Sequence, residues 1–314
     1  ITLKSGKIKR ININTKEITN IKGMTSVLYE GQGGLLDVIK SPNFKTDNYL
    51  YFTYVKDVNN YGLTTLARAK FVKDELIQWK DLLVTKSATS TSRHFGSRIT
   101  FDNKGHLFFT IGDRGVRKNA QDLTNHAGTT IRLNLDGTIP RDNPFVSNKN
   151  SLSEVYSYGH RNAQGIFFDK KRDILFLVEH GPRGGDEINI IKKGKNYGWP
   201  IISYGKEYWN PLPVGEGTHK KGMLQPIKVY VPSIAPSSLI VYSGKVFKQW
   251  KGNLLSTALK LKHLNRIVLD KNLKVIHEER LLKNLNERMR CIIESSNGLI
   301  YISTDRGNIY ELHL

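Results

Sequence analysis

The sequence predicts an all-β fold, a six-bladed β-propeller, and three observations carry that prediction. Helical periodicity is almost absent, while short β-rich runs closed by Gly, Asn or Asp recur throughout. Four of these runs resemble one another: SPNFKTDNYLYFTYV (41–55), TFDNKGHLFFTIGDRG (100–115), FFDKKRDILFLVEHG (167–181) and IESSNGLIYISTDRG (293–307). Each is a turn of Asp, Asn, Lys or Gly, an apolar run and a polar exit. Their recurrence at intervals of roughly 40 to 65 residues marks a repeat fold, which a two-sheet sandwich does not explain.

Taken in order, ITLKSGKIKRININ at the N-terminus reads as a strand, a turn and a second strand, and it lacks the apolar stretch of a signal peptide. Between the third and fourth of these runs, VFKQWKGNLLSTAL (246–259) is a weaker fifth copy, with Trp250 before its turn. The last segment, GNIYELHL (307–314), is strand-like, and SGKIKRIN is its expected partner, because propellers commonly close by pairing terminal strands. The polar exits IGDRG, VEHGP, STALK and STDRG are then expected on one face. The whole chain, residues 1–314, is read as one domain, although it exceeds the usual range of roughly 100 to 200 residues.

Composition narrows the function classes. Hydrophobic residues make up 39% of the chain, enough for a sizeable core. No run approaches the roughly 18 consecutive apolar residues of a membrane span. The single cysteine, Cys291, rules out an internal disulfide and a cysteine zinc cluster, and its apolar run (Cys291, Ile292, Ile293) predicts a buried, inert thiol. The formal charge is +20, but the lysines are spread in ones and twos. A solvated basic surface is therefore read in preference to a nucleic-acid groove, and no nucleic-acid partner is expected.

The chemistry-bearing residues concentrate in residues 155–200. There, two polar turn clusters, GHRNAQG and EHGPRGGDE, flank an apolar segment (IFFD, ILFLVE) that reads as a strand pair. Gly181 and Pro182 can bring free carbonyls close to a ligand or cation. Arg161, Asn162 and Gln164 offer a guanidinium fork and amides that suit a ligand rich in carboxylates and carbonyls. Glu179, Asp186 and Glu187, with Tyr197 downstream, are hard oxygen ligands that suit Ca²⁺ more than zinc. Outside this stretch, His94 in TSRHFGSRI reads as an accessible loop histidine of near-neutral pKa, fit to be a general base, with Asp113 to orient it. Lys260, Arg288 and Arg290 are further cations, and the two arginines, two apart, are expected on one face of a strand as an anion clamp. No HExxH, GxSxG or P-loop motif occurs.

Seven segments carry a resemblance: EGQGGLLDV (30–38), RHFGSRITFDNKGHLFFTIGDRG (93–115), AQDLTNHAGTTIRLNLDGTIPRDNPF (120–145), YGHRNAQG (158–165), EHGPRGGDEINII (179–191), NYGWP (196–200) and PSIAPSSLIVYSG (232–244). In order and over nearly the whole chain, they resemble the soluble, pyrroloquinoline quinone (PQQ)-dependent aldose sugar dehydrogenases, relatives of soluble glucose dehydrogenase. The resemblance implies a six-bladed propeller that oxidises the C1 hydroxyl of aldoses to lactones, passing hydride to PQQ. It implies that His94 is the base, Asp113 its orienting carboxylate, and Arg161 a neighbour of the reactive quinone carbonyl. It further implies that Gln32, Arg161, Asn162, Gln164, Lys260, Arg288 and Arg290 contact the cofactor. Gly181 and Pro182 would give carbonyls to a cofactor-bridging Ca²⁺, and Glu187 and Tyr197 would serve a second, structural calcium.

By the same resemblance the partners are an aldose sugar and an external quinone or cytochrome acceptor, the protein is a monomer or homodimer, and it is periplasmic or secreted. Two departures stand out. The chain starts where family members are already in the second half of their first blade, so that blade is expected to be incomplete at the N-terminus, and Cys291 stands where the family usually has Asp. A non-catalytic propeller module for a glycan or polyanion is the alternative from another class, and a calcium-dependent lactonase is a third.

Overall fold

The structure is a computed structural model and describes residues 1–314. Its chain is built of 21 strands, one four-residue helix and three short 3-10 turns. Strand formation follows from runs such as HLFFTI (106–111) and ILFLVE (174–179), in which the residues are buried on both faces of the pleat. Such runs need a sheet packed on each side, and flanking turn residues set their length.

Four sheets are antiparallel four-stranded meanders. They comprise β3 (Leu35–Lys40), β4 (Tyr49–Val58), β5 (Tyr61–Val72) and β6 (Glu75–Val84); β7 (Ile99–Phe101), β8 (His106–Ile111), β9 (Thr129–Asn134) and β10 (Val155–Tyr158); β11 (Ala163–Asp169), β12 (Ile174–Glu179), β13 (Asp186–Ile191) and β14 (Lys228–Tyr230); and β15 (Pro236–Val241), β16 (Leu254–Ala258), β17 (Leu264–Leu269) and β18 (Val275–Leu281). A fifth sheet has three strands, β19 (Met289–Glu294), β20 (Ile300–Thr304) and β21 (Ile309–Leu312). The N-terminal residues form only a two-stranded ribbon, β1 (Ile8–Ile11) with β2 (Ile18–Ile21).

The fold is therefore an all-β propeller of five blades, and the six blades expected from the sequence are corrected to five. The reason is local. Each ribbon strand is four residues long and mostly exposed or half-buried, so the ribbon presents too little apolar area to make a blade. The expected strand pair of residues 155–200 is present as β11 and β12, and the weak fifth repeat supplies β16.

The chain divides into two compact units, Ile1–Asn162 and Ala163–Leu314. In the first unit, one core gathers Phe52, Tyr54 and Ala67 with Trp79, and another gathers Leu107, Phe109, Ile111 and Ile131 with Tyr51 and Leu66. Strand β3 lies beside β7. In the second unit β11 lies beside β15 and β15 beside β19, with cores around Phe176, Val178 and Ile188 and around Leu255, Ile292 and Ile302.

Register decides where polar residues can meet. In every blade the first two strands are antiparallel, so the start of the first strand and the end of the second share one end of the sheet. In four blades the first strand carries one extra residue at that end: Leu36, Gln164, Ser237 and Arg290 are each unmatched across the pair. In the β7 blade, Ser97 and Arg98 both bond to Thr110. A bulge of this kind bends the strand and re-aims its side chain.

Phe109 is fully buried within the first-unit core. Phe109→Ala is expected to lower stability by about 3–5 kcal/mol, measured by chemical denaturation of the isolated protein.

Candidate active site

In the first unit the site-end register brings four of the predicted residues together. His94 precedes β7 and Asp113 follows β8, and His94 Nδ1 lies 2.7 Å from Asp113 Oδ1. A carboxylate only accepts, so Nδ1 carries the proton and Nε2 keeps its lone pair. The His94 backbone N–H donates to Gln32 Oε1 at 2.8 Å, so Gln32 holds the base's backbone. Asp113 is buried and takes a second bond, from the Gly115 N–H, at 2.8 Å. Its own N–H donates to the Arg161 carbonyl at 2.8 Å, which fixes GHRNAQG against GDRG.

Two glycines make this closeness possible. A Cβ on Gly112 would lie 2.3 Å from the His94 carbonyl oxygen and 3.0 Å from Asn162 Oδ1. Gly96 is left-handed at φ 64°, and its Cβ would meet the Gly112 backbone at 2.8 Å. Arg161 and Asn162 are both buried.

His94 differs from the accessible histidine expected. Its side chain is 13% exposed. Burial lowers the imidazole pKa below its ordinary value, outweighing the upward pull of Asp113, and the Arg161 and Arg93 charges push the same way. For Asp113, burial alone would raise the pKa, but the bond from His94 and the charges of His94 and Arg161 hold it below the ordinary carboxylate value. The pair is thus set at neutral pH as carboxylate and neutral imidazole.

In the second unit the predicted residues fall into three groups. Gln164 and Arg290 are the extra residues of the β11 and β19 bulges. Arg288 precedes β19, and the two arginines meet, as their spacing led us to expect, by gripping one carboxylate. Arg288 Nε lies 2.8 Å from Asp305 Oδ2, and Arg290 Nε lies 2.8 Å from Asp305 Oδ1. Burial raises the Asp305 pKa, yet the two guanidinium groups together hold it below its ordinary value. Two cations on one anion leave a net positive site. Lys260 follows β16, and its side chain is exposed. Cys291, beside this clamp, is half-buried and not the fully buried thiol expected.

The Gly181–Pro182 turn is rich in carbonyls. A Cβ on Gly181 would lie 2.3 Å from the Gly185 oxygen and 2.4 Å from the Gly184 oxygen, so only glycine allows this approach. Asp186 is fully buried and committed to bracing the turn: it accepts from the N–H groups of Gly181 at 2.9 Å and Ala235 at 2.7 Å, and from the Ser233 hydroxyl. The Pro182 carbonyl accepts from the Tyr208 hydroxyl at 3.2 Å.

Glu187 lies in an acidic pair with Glu179. Asn189 Nδ2 bridges Glu179 Oε1 and Glu187 Oε2, each at 3.0 Å, while buried Asn189 Oδ1 has no partner. Burial first, and then the Glu179 charge, pushes the Glu187 carboxyl up to about 8. The Tyr197 hydroxyl is committed elsewhere: it donates to the Ile190 carbonyl at 2.6 Å and accepts from the Lys192 N–H at 2.8 Å.

Within the second unit the net cationic charge at Asp305 and an exposed lysine amine suit an anionic ligand, and within the first buried Arg161 and Asn162 suit one with carbonyls. Two carboxylates bridged by one amide nitrogen, one of them destabilised as an anion, beside an amide oxygen without a partner, suit a hard cation. No group of three or more His, Cys, Asp or Glu side chains converges as a metal cage. Sequence reasoning missed Asp305, Asn189 and Tyr208. Asp305 occupies in STDRG the place of Asp113 in IGDRG, so aligning the repeats would have found it. Asn189 and Tyr208 carry no motif.

Comparison with known proteins agrees with this donor chemistry. The protein is an oxidoreductase of the sugar dehydrogenase class. Residues 1–311 match the Glucose / Sorbosone dehydrogenase family, and the chain belongs to it. It is 36% identical to aldose sugar dehydrogenase YliI of Escherichia coli K12, over 98% of this chain and 84% of that protein. The crystal structure of a glucose dehydrogenase superposes with a TM-score of 0.96 at 33% identity, covering 100% of this chain and 92% of the other. The PQQ-bound aldose sugar dehydrogenase of Streptomyces coelicolor superposes with a TM-score of 0.81 at 25% identity, covering 98% and 88%.

The raised Glu187 carboxyl has a signed consequence. The folded state keeps a proton that the unfolded state has lost above the ordinary value of 4.5, so stability falls as pH rises from there through about 8. Without divalent cations, Glu187→Gln is expected to remove up to about 1.4 kcal/mol per pH unit of that decline, read from denaturation midpoints between pH 5 and 8.

Proposed function

We propose that this protein oxidises the C1 hydroxyl of aldose sugars to lactones, with PQQ as cofactor, His94 as general base and an external quinone or cytochrome as final acceptor. The observation that carries this reading is the His94–Asp113 contact of 2.7 Å, which leaves Nε2 as the free basic atom of a neutral imidazole. When bound, PQQ supplies the hydride acceptor, and Ca²⁺ would polarise it as a Lewis acid.

The chain's own residues bind, orient and move the proton. His94 Nε2 takes the proton of the sugar C1 hydroxyl, and Asp113 stabilises the imidazolium that forms. Arg161, in the first unit, is assigned as donor to the cofactor's reactive carbonyl, with Gln32 and Asn162 as further contacts. In the second unit Gln164, Lys260, Arg288 and Arg290 are assigned to the cofactor, the cations to its carboxylates. Gly181 and Pro182 are assigned as carbonyl ligands of Ca²⁺, with Tyr208 releasing the Pro182 oxygen. Glu187 and Tyr197 are assigned to a second calcium. Family membership supports these assignments, and the protein is proposed to work in the periplasm or outside the cell, as a monomer or homodimer. No helix is long and apolar enough to cross a membrane.

Titration with PQQ and Ca²⁺ should produce a bound-quinone absorption band and dye-linked oxidation of aldoses; absence of the band in calcium-loaded protein would sink the proposal. His94→Ala should lower kcat by about 10²- to 10⁴-fold while the band persists. Because the His94 pKa is lowered, kcat/KM of the parent protein should stay flat from neutral pH down to the ordinary imidazole value and fall only below it.

A further inference from the structure

Next to Asp113, Arg114 has no solvent exposure and is the largest fully buried side chain of the protein. A charged group in that position is costly unless its donors are met. All of its hydrogen bonds described in the structure go to backbone carbonyls. Nη2 donates to Thr91 at 2.9 Å and Gly62 at 3.1 Å, Nη1 donates to Arg93, and Nε has no partner. The guanidinium carbon lies 3.4 Å from the Phe95 ring centroid, a cation–π stack inside the protein. Its grip thus falls on residues 91, 93 and 95, the segment that carries His94.

The contact is reciprocal. The Thr91 hydroxyl donates to the Arg114 carbonyl at 2.6 Å and the Thr89 hydroxyl at 2.9 Å. A Cβ on Gly115 would strike the Thr91 side chain at 2.8 Å, so the two segments touch along their length. Both segments are also held off the common backbone basins: His94 has φ 57° and Arg114 φ 56°, left-handed values that cost a non-glycine residue free energy unless the surroundings impose them.

We infer that Arg114 is a positioning residue whose buried guanidinium locks the left-handed His94 loop onto Asp113, so that the base is set before any ligand binds. The inference rests on His94 being the base, and its first test does not depend on activity. A lysine at 114 keeps the charge but lacks the planar fork that reaches three carbonyls. Imidazole titration by NMR, without cofactor, should show the His94 signal of Arg114→Lys moving up toward the ordinary histidine value as the loop opens to water. Thr91→Val, which deletes one reciprocal bond and keeps the core, should move it in the same direction by less.

In PQQ-loaded protein, Arg114→Lys should lower kcat by about 100-fold, the cost of a misplaced reacting group, with KM for the aldose little changed. His94 titrating alike in the parent, Arg114→Lys and Thr91→Val proteins would overturn the inference, even if Arg114→Lys melted at lower temperature. If Arg114→Lys does not fold, Thr91→Val decides alone. A shifted His94 titration with no quinone binding by the parent would keep Arg114's role and discard the PQQ reading.

Discussion

Antiparallel register is the constraint on which the site depends. Because β7 pairs with β8 so that Ile99 faces Phe109, the residues before one strand and after the other are brought to the same end without any long-range device. His94 and Asp113 sit at those two positions, and the same arithmetic puts Arg288 beside Asp305 and Gly181 beside the start of β11. Apolar packing holds the strands rigid, so the polar ends inherit that rigidity. The dyad is buried on this footing, and burial in turn fixes its protonation.

The electrostatics of the two units differ in kind. In the first, a single carboxylate, Asp113, is ringed by His94 and Arg161, and the balance favours one neutral imidazole. In the second, cations exceed anions at Asp305, while anions exceed cations at Glu179 and Glu187. Each imbalance is what a bound partner of opposite sign would relieve. The overall charge of +20 bears on neither, since lysines spread through the chain are screened by salt over about 8–10 Å.

Much of this was legible in the sequence. The repeat of turn, apolar run and polar exit located four blades, and GHRN, GDRG and EHGP marked the sheet ends, because turn residues and buried strands leave strong local signals. Blade count was not legible: SGKIKRIN has a strand's composition, and only the narrow, exposed ribbon it forms shows that no blade is built on it. Environment was equally hidden. His94 looked like a surface loop residue because the side chains that bury it are distant in sequence, and nothing in the sequence singled out Arg114. Period-two reasoning put Arg288 and Arg290 on one face, and the two do meet, on a carboxylate, Asp305, that their spacing did not reveal.

The extra residue recurs at the same place in β3, β11, β15 and β19, occupied by Leu36, Gln164, Ser237 and Arg290. Since it lies outside the strand pairing, the ladder does not dictate its side chain, and the four blades use the place differently. Ser237 is fully buried and donates to the Met289 carbonyl at 2.6 Å, tying its strand to the next sheet, whereas Arg290 grips Asp305. One irregularity of the backbone thus serves as a fastening in one blade and as a charge in another.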